Sequence, residues 1–203
     1  MAEITAITPQ KRDKTRCNIE VDGKFYCGMK LDTVLANGLK AGTHVDLNEL
    51  SRLQLESEKL TALDRALKHI SVSMKTEREI RIFLKSKGYL QDVSDYVLDK
   101  MKEYGYVDDE TYASSYVEGA SKRKGSRLIQ LELKQKGVDG QIIDAVLSSL
   151  EDETESAKRC LAKYMRGKTL DEATLKKAYR NLLSKGFDYD TCRQAIESLK
   201  DED

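Results

Sequence analysis

The sequence predicts a mainly α-helical fold: three tandem three-helix repeats in an elongated, curved array, preceded by a small N-terminal β-containing extension. Three observations carry that expectation. First, a Lys-Gly pair recurs at Lys87-Gly88, Lys136-Gly137 and Lys185-Gly186, at a constant interval of 49 residues. A fixed period of this length marks a tandem array of one supersecondary unit. Second, apolar residues recur at helical spacing from about Leu47 onward, and no proline follows Pro9 to interrupt a helix. Third, the residues before Leu47 alternate apolar and polar in short runs, the pattern of strands.

Aligned on their glycines, the copies agree in detail. Leu84, Leu133 and Leu182 stand four residues before the glycine, and Tyr89, Val138 and Phe187 one residue after it. Leu98, Leu147 and Ile196, then Met101, Leu150 and Leu199, hold matching places further on. Glycine accepts the left-handed conformation that closes a helix, and the lysine before it meets the negative end of the helix dipole. The next apolar residue can fold back on the helix just left. Another helix follows, with Asp92 and Asp190 as expected caps. Its apolar face is clearest at Ile142, Ile143, Val146, Leu147 and Leu150. Thr76-Glu77-Arg78-Glu79 fits a capping box. Helical stretches at 63–70, 112–121 and 157–165 complete the units. The expected domains are 1–56 (strand module with a short helix), 57–104, 105–150 and 151–203. One unit is too small to be very stable alone, whereas stacked copies bury faces against each other.

In the front module, Ile4 to Thr8 reads as a strand, and Arg16–Val21 with Phe25–Met29 as a hairpin around Asp22-Gly23. Cys17, Ile19 and Val21 make one apolar set, and Phe25, Cys27 and Met29 the other. A two-residue loop would put these sets on opposite faces, so a three-residue loop is expected. Leu31 to Leu39 suggests a short helix closed near Gly38, with Ala41-Gly42 as a turn. Three strands this small need helices to cover them.

The chain holds 35 basic and 35 acidic residues, so net charge does not indicate a globally basic nucleic-acid binder. The charge is locally uneven, however. Basic residues dominate from Arg65 to Lys87 and from Lys122 to Lys136. The candidate contacts to an anionic partner are Lys75, Arg78, Arg81, Lys85, Lys122, Arg123, Lys124, Arg127 and Lys134. Arg78, Arg81 and Lys85 lie at i, i+3 and i+7 of one helix. The two segments are equivalent parts of copies one and two, so they could line one face. The bland alternative for any one of these residues is a solvated helix surface. Copy three carries its charge more evenly, and Asp201-Glu202-Asp203 reads as a solubilising tail. Most repeat tyrosines (Tyr89, Tyr96, Tyr104, Tyr106, Tyr112, Tyr116, Tyr164, Tyr179, Tyr189) fall at apolar positions, which favours packing over base stacking.

Catalytic constellations are not found. Cys17, Cys27, Cys160 and Cys192 form no C-x-x-C pair, and only His44 and His69 could add imidazole, so no metal or other cofactor is expected. Gly119-Ala-Ser-Lys-Arg-Lys-Gly125-Ser126 has the wrong glycine spacing for a phosphate loop, and no lysine follows its second glycine. Asp108-Asp109 and Asp171-Glu172 read as helix-start caps rather than acid–base pairs. No apolar run is long enough to span a membrane, and MAEITAITPQKRDK has no signal-peptide core. A soluble, monomeric, cytoplasmic binding protein without enzymatic activity is expected.

Several ordered motifs resemble one family. Lys75-Thr76-x-x-Glu79-Ile80-x-x-x-Leu84-x-x-Lys87-Gly88 resembles the first repeat of the RecX regulatory proteins. Gly105-Tyr106-Val107-Asp108-Asp109-Glu110-x-Tyr112-Ala113-x-x-Tyr116-Val117 resembles that family's most recognisable segment. Lys124-Gly125, Glu132-Leu133-x-x-Lys136-Gly137-Val138 and Ser184-Lys185-Gly186-Phe187 are similar to its later blocks. Ser73 and Ser126 depart from it, standing where the family commonly has arginine and proline. The resemblance implies a modulator, on balance an inhibitor, of the RecA recombinase. It implies binding in the groove of the RecA filament on single-stranded DNA, limiting growth, ATPase and strand exchange, with a role in DNA repair, homologous recombination and the SOS response. On that reading the basic face of copies one and two meets filament and DNA phosphate, weak direct DNA binding is possible, and copy three grips a neighbouring protomer. The rival readings are a helix-turn-helix-like DNA binder and a protein–protein scaffold without nucleic acid.

Overall fold

The computed structural model describes residues 1–11, 13–150 and 152–201. Among them are four strands, β1 (Ala2–Pro9), β2 (Arg16–Val21), β3 (Lys24–Lys30) and β4 (His44–Val45). Ten helices accompany them: α1 (Leu31–Ala36), α2 (Leu47–Ile70), α3 (Glu77–Ser86), α4 (Gln91–Glu103), α5 (Asp109–Ala120), α6 (Ser126–Lys136), α7 (Gly140–Ser148), α8 (Thr154–Met165), α9 (Glu172–Ser184) and α10 (Tyr189–Asp201). No described helix is long and apolar enough to cross a membrane. Two compact units result, Met1–Ser73 with Ile80–Tyr106, and Met74–Glu79 with Val107–Asp203. The division falls inside α3.

In the first unit the sheet is antiparallel, in the order β3-β2-β1-β4. The fourth strand, missing from the sequence reading, is two residues long and pairs Ala2 with Val45. The hairpin corrects the expected loop. Val21 pairs with Lys24, so the loop is the two-residue Asp22-Gly23, with φ of 49° and 75°. Positive φ at both positions matches the twist of the flanking strands. The register then shifts between Ile19, opposite Cys27, and Glu20, opposite Phe25. This bulge returns Cys27 and Met29 to the face of Cys17, Ile19 and Val21. It does so at the expense of Phe25, which points to solvent at 66 % exposure.

The sheet's apolar face is closed by Val34 of α1 and by Leu50 and Leu53 of α2. Further along α2 the buried stripe turns polar, through Ser57 and Thr61. Ser57 Oγ accepts the Lys30 amide at 2.6 Å, and Thr61 Oγ accepts Arg16 Nη1 at 2.6 Å. Helix α2 runs unbroken through the boundary expected at residue 56, and packs on α4 as well as on β3. It serves both the sheet and the first repeat.

The three glycine stops behave alike. Gly88, Gly137 and Gly186 have φ of 83°, 86° and 87°. Beyond each, the amides of Tyr89, Val138 and Phe187 donate to the carbonyls of Leu84, Leu133 and Leu182 at 3.3, 3.1 and 3.3 Å. Those leucines are buried. This is one helix-closing motif made three times. The expected capping box is present, with Thr76 N to Glu79 Oε2 at 3.1 Å and Glu79 N to Thr76 Oγ1 at 3.2 Å. Asp108 and Asp171 cap α5 and α9 as expected. The caps at α4 and α10 differ. Asp92 lies inside the first turn of α4 after Leu90, and Asp188, not Asp190, accepts the Thr191 amide of α10 at 2.7 Å.

Candidate nucleic-acid interface

Except for Arg81 and Lys85, the basic candidates lie in the second unit, around two joints that the 49-residue period relates. At one, Thr76 Oγ1 donates to the Lys136 carbonyl at 2.7 Å. At the other, the Gly125 amide donates to the Lys185 carbonyl at 2.9 Å. At each joint a carboxylate from the start of the next three-helix unit accepts a first-turn amide. Asp109 Oδ1 takes Glu77 N at 2.9 Å, and Glu153 Oε1 takes Ser126 N at 2.7 Å. These bonds satisfy helix-start amides that would otherwise lack partners.

Arg78 and Arg127 are equivalent residues in the first turns of α3 and α6, and both are exposed. Arg78 lies so close over Gly137 that a Cβ there would come within 2.3 Å of its Cδ. The Arg127 guanidinium sits 5.3 Å from the Tyr189 ring centroid. Each arginine packs its stem or plane against the following unit and leaves its charge outward. Lys85 and Lys134 are also equivalent and exposed, near the ends of α3 and α6.

The other candidates divide into held and open. Arg81 is ion-paired with Asp95 across α3 and α4. Lys75 is half-buried, and its charge helps to hold Glu79 ionised. Lys124 is tied into a cluster: its Nζ lies 2.5 and 2.7 Å from the Glu132 oxygens and 3.4 Å from the Tyr116 hydroxyl. The same hydroxyl donates to Glu132 at 2.6 Å. Lys122 and Arg123 are exposed on the turn after α5. Lys122, however, lines a cleft of about 680 Å³ that also holds Glu118, Asp152, Glu153 and Glu155, a poor place for an anion. The open cations of the predicted set are therefore Arg78, Lys85, Arg123, Arg127 and Lys134. No single face is assigned to the whole set, because Arg81 and Lys85 lie in one compact unit and the other candidates in the second.

The charge environment of the joints is uneven. Burial works to push Glu79 up, but the Lys136 ammonium at 2.9 Å, the Thr76 amide and the Lys75 charge together hold it below the usual carboxylate range. Burial also opposes ionisation of Glu132, and Lys124 and Tyr116 outweigh it. Glu153 goes the other way: burial dominates its Ser126 hydrogen bonds, and Asp188 and Asp152 add to the rise.

Two features lay outside the sequence reading. Tyrosines divide: Tyr112, Tyr116, Tyr164 and Tyr179 pack in or against the repeat cores as expected, while others reach the surface. Tyr112 is buried, but Tyr104, Tyr106 and Tyr189 are exposed, and Lys59, Arg65, Lys124, Lys136 and Lys168 all lie over tyrosine rings. Basic residues also gather in copy three, where Lys163, Lys168 and Lys185 come together with Arg123. Lys163 and Lys168 belong to a basic stretch, Lys158 to Lys168, that holds five cations and no carboxylate and could have announced them, whereas Lys185 and Arg123 lie outside it. Among the described residues no group of three or more His, Cys, Asp and Glu could hold a metal ion.

Comparison with known proteins gives a consistent result across the chain. Residues 2–46 match the family model described as the regulatory protein RecX N-terminal domain. Residues 62–101, 108–147 and 151–196 match the first, second and third RecX three-helix domains. The chain is 34 % identical over 203 residues to the regulatory protein RecX of Clostridium botulinum (strain Eklund 17B / Type B), covering 97 % of this chain and 96 % of that one. It is 32 % identical over 205 residues to that of Clostridium perfringens (strain 13 / Type A), covering 98 % and 97 %. A crystal structure of regulatory protein RecX superposes with a TM-score of 0.71 at 27 % identity, over 97 % of this chain and all of the other. RecX from Lactobacillus salivarius superposes with a TM-score of 0.63 at 25 % identity, over 70 % and 97 %. With the three glycine-closed repeats and the strand module all matched in order, the chain belongs to the RecX family of regulatory proteins.

Proposed function

We propose that this protein is a non-enzymatic modulator of RecA that binds the RecA filament on single-stranded DNA and limits its growth, ATPase and strand exchange. Membership of the RecX family along nearly the whole chain carries the reading. The exposed, period-related pairs Arg78 with Arg127 and Lys85 with Lys134 support the charge side of it. Exposed cations suit a partner with a phosphate backbone, and such contacts add affinity without reading sequence.

The test is the single-stranded-DNA-dependent ATPase of the cognate RecA, titrated with this protein up to one copy per protomer. A fall at substoichiometric dose is expected. Lys85→Ala with Lys134→Ala should weaken the effect and flatten its salt dependence, since neither lysine is tied into the fold. Unchanged ATPase at every dose overturns the RecA reading, and unchanged potency in the double variant overturns the charge assignment. Tight binding to bare duplex at a specific site, with no effect on RecA, would favour a helix-turn-helix-like DNA binder instead.

A further inference from the structure

We infer that the second unit contains a phosphate-binding cleft in its third repeat, built from Arg123, Lys163, Lys168 and Lys185. This goes beyond the RecA reading and stands without it. The cleft measures about 390 Å³ and is lined by these four cations with Cys160, Tyr164 and Asn181. Among the described residues no carboxylate lines it, and none of the four cations has an acidic partner. In a chain with as many acidic as basic residues, four unopposed cations around one concavity form a site for an anion.

The arrangement is held by the fold rather than left to long side chains. Lys163 projects from α8. Lys168 follows the Gly167 turn, where φ is 74°, and its ammonium lies over the Tyr164 ring, 3.2 Å from the centroid. Asn181 and Lys185 come from the end of α9, and Asn181 adds a neutral amide. Arg123 is brought in from another repeat. The Cys160 thiol meets the Arg123 carbonyl at 3.6 Å, and the Gly125 amide donates to the Lys185 carbonyl at 2.9 Å, so the turn carrying Arg123 is fixed at both ends. A planar guanidinium and three ammonium groups, with an amide donor, suit the tetrahedral oxygens of phosphate. The cleft is larger than one phosphate and accommodates a phosphate with an attached group. A phosphodiester of single-stranded nucleic acid and a small oligophosphate share that chemistry.

Cys160 supplies the readout. It is the one half-exposed thiol of the four, since Cys17, Cys27 and Cys192 are buried. The experiment follows alkylation of Cys160 by N-ethylmaleimide in the full-length native protein, peptide by peptide in a mass spectrometer. The ligands are a short oligothymidylate, pyrophosphate, or oligoglutamate as a phosphate-free polyanion. Oligothymidylate or pyrophosphate should slow the reaction severalfold, less so at high salt, and oligoglutamate should not. Lys163→Ala with Lys168→Ala should remove that protection while thermal unfolding stays unchanged. Protection by oligothymidylate assigns the cleft to nucleic acid, and protection by pyrophosphate alone assigns it to small oligophosphates. No protection by either, equal protection by oligoglutamate, or full protection in the double variant would each overturn the site. RecA is absent throughout, so the outcome is independent of the ATPase test.

Discussion

Gly125 and Gly186 meet backbone to backbone, so closely that a Cβ on Gly125 would lie 2.4 Å from the Gly186 carbonyl carbon and oxygen. Gly186 is as confined from its own side, where a Cβ would lie 2.4 Å from the Leu128 amide and Cβ. One glycine opens a helix in copy two, and the other closes a helix in copy three. Both are glycine because two backbones occupy the space of a side chain.

Gly125→Ala should therefore destabilise the protein by about 1–3 kcal/mol, because the colliding atoms are backbone and cannot rotate away. The φ of Gly125 is −81°, so the loss reports the collision and not backbone strain. Gly119, exposed in α5, has nothing within 4 Å of an added Cβ. Gly119→Ala should be neutral or stabilise by up to about 1 kcal/mol through helix propensity. Urea denaturation of the two variants checks both signs.

Thr76 makes three bonds with one side chain and its amide: the two bonds of its capping box and the contact to the Lys136 carbonyl. Thr76→Ala should cost about 1–2 kcal/mol, and Thr76→Ser should recover most of it because the hydroxyl is what bonds. A serine variant as unstable as the alanine variant would shift the explanation to the threonine methyl.

The Lys124–Glu132–Tyr116 cluster makes Lys124 a structural cation. Lys124→Ala leaves Glu132 half-buried with only Tyr116, and should cost about 1–2 kcal/mol. Affinity for nucleic acid should change little. Arg123→Ala should show the reverse pattern, with stability kept and binding weakened. Paired denaturation and fluorescence-anisotropy titrations separate the two.

Stability should depend on pH with opposite signs at different half-buried carboxylates. Glu79 and Glu132 are held below the ordinary 4.5 in the folded chain. Their contribution is full above that value and is lost as pH falls through the lowered folded values. Glu153 is raised above 4.5. Between 4.5 and its raised value the folded state binds more protons than the unfolded state, so this group's contribution falls as pH rises. Glu153→Gln should remove that slope and leave stability at neutral pH equal or higher, because the amide oxygen can still accept from Ser126. Denaturation midpoints across the acid range check the sign.

Much of this was legible in the sequence for a physical reason. A helix stop needs a residue free to take positive φ, and an apolar neighbour that folds back beside it. Those requirements are local, and Lys-Gly followed by Tyr89, Val138 or Phe187 states them three times. The capping box at Thr76 and Glu79, and the caps at Asp108 and Asp171, are equally local. The hairpin was half legible. Asp22-Gly23 marks the turn, but the bulge that exposes Phe25 depends on what the facing helix needs from β3. Strand β4 is too short to leave a periodic signal.

What the sequence determined by itself is the repeat: its period, its helix ends, its apolar faces and its family. Periodicity and turn chemistry are properties of neighbouring residues and survive without coordinates. Only the tertiary structure decided which cations are open. Arg81 and Lys124 look identical to Lys85 and Lys134 in a charge count, yet Asp95 and Glu132 take them from other helices. Lys163 and Lys168 lie in one basic stretch, yet only the fold, with the Gly125–Lys185 bond, brings them to Lys185 and Arg123. Charge acts through distance in space, and for these residues that distance is fixed by how the helices pack and not by the local density of charge in the chain.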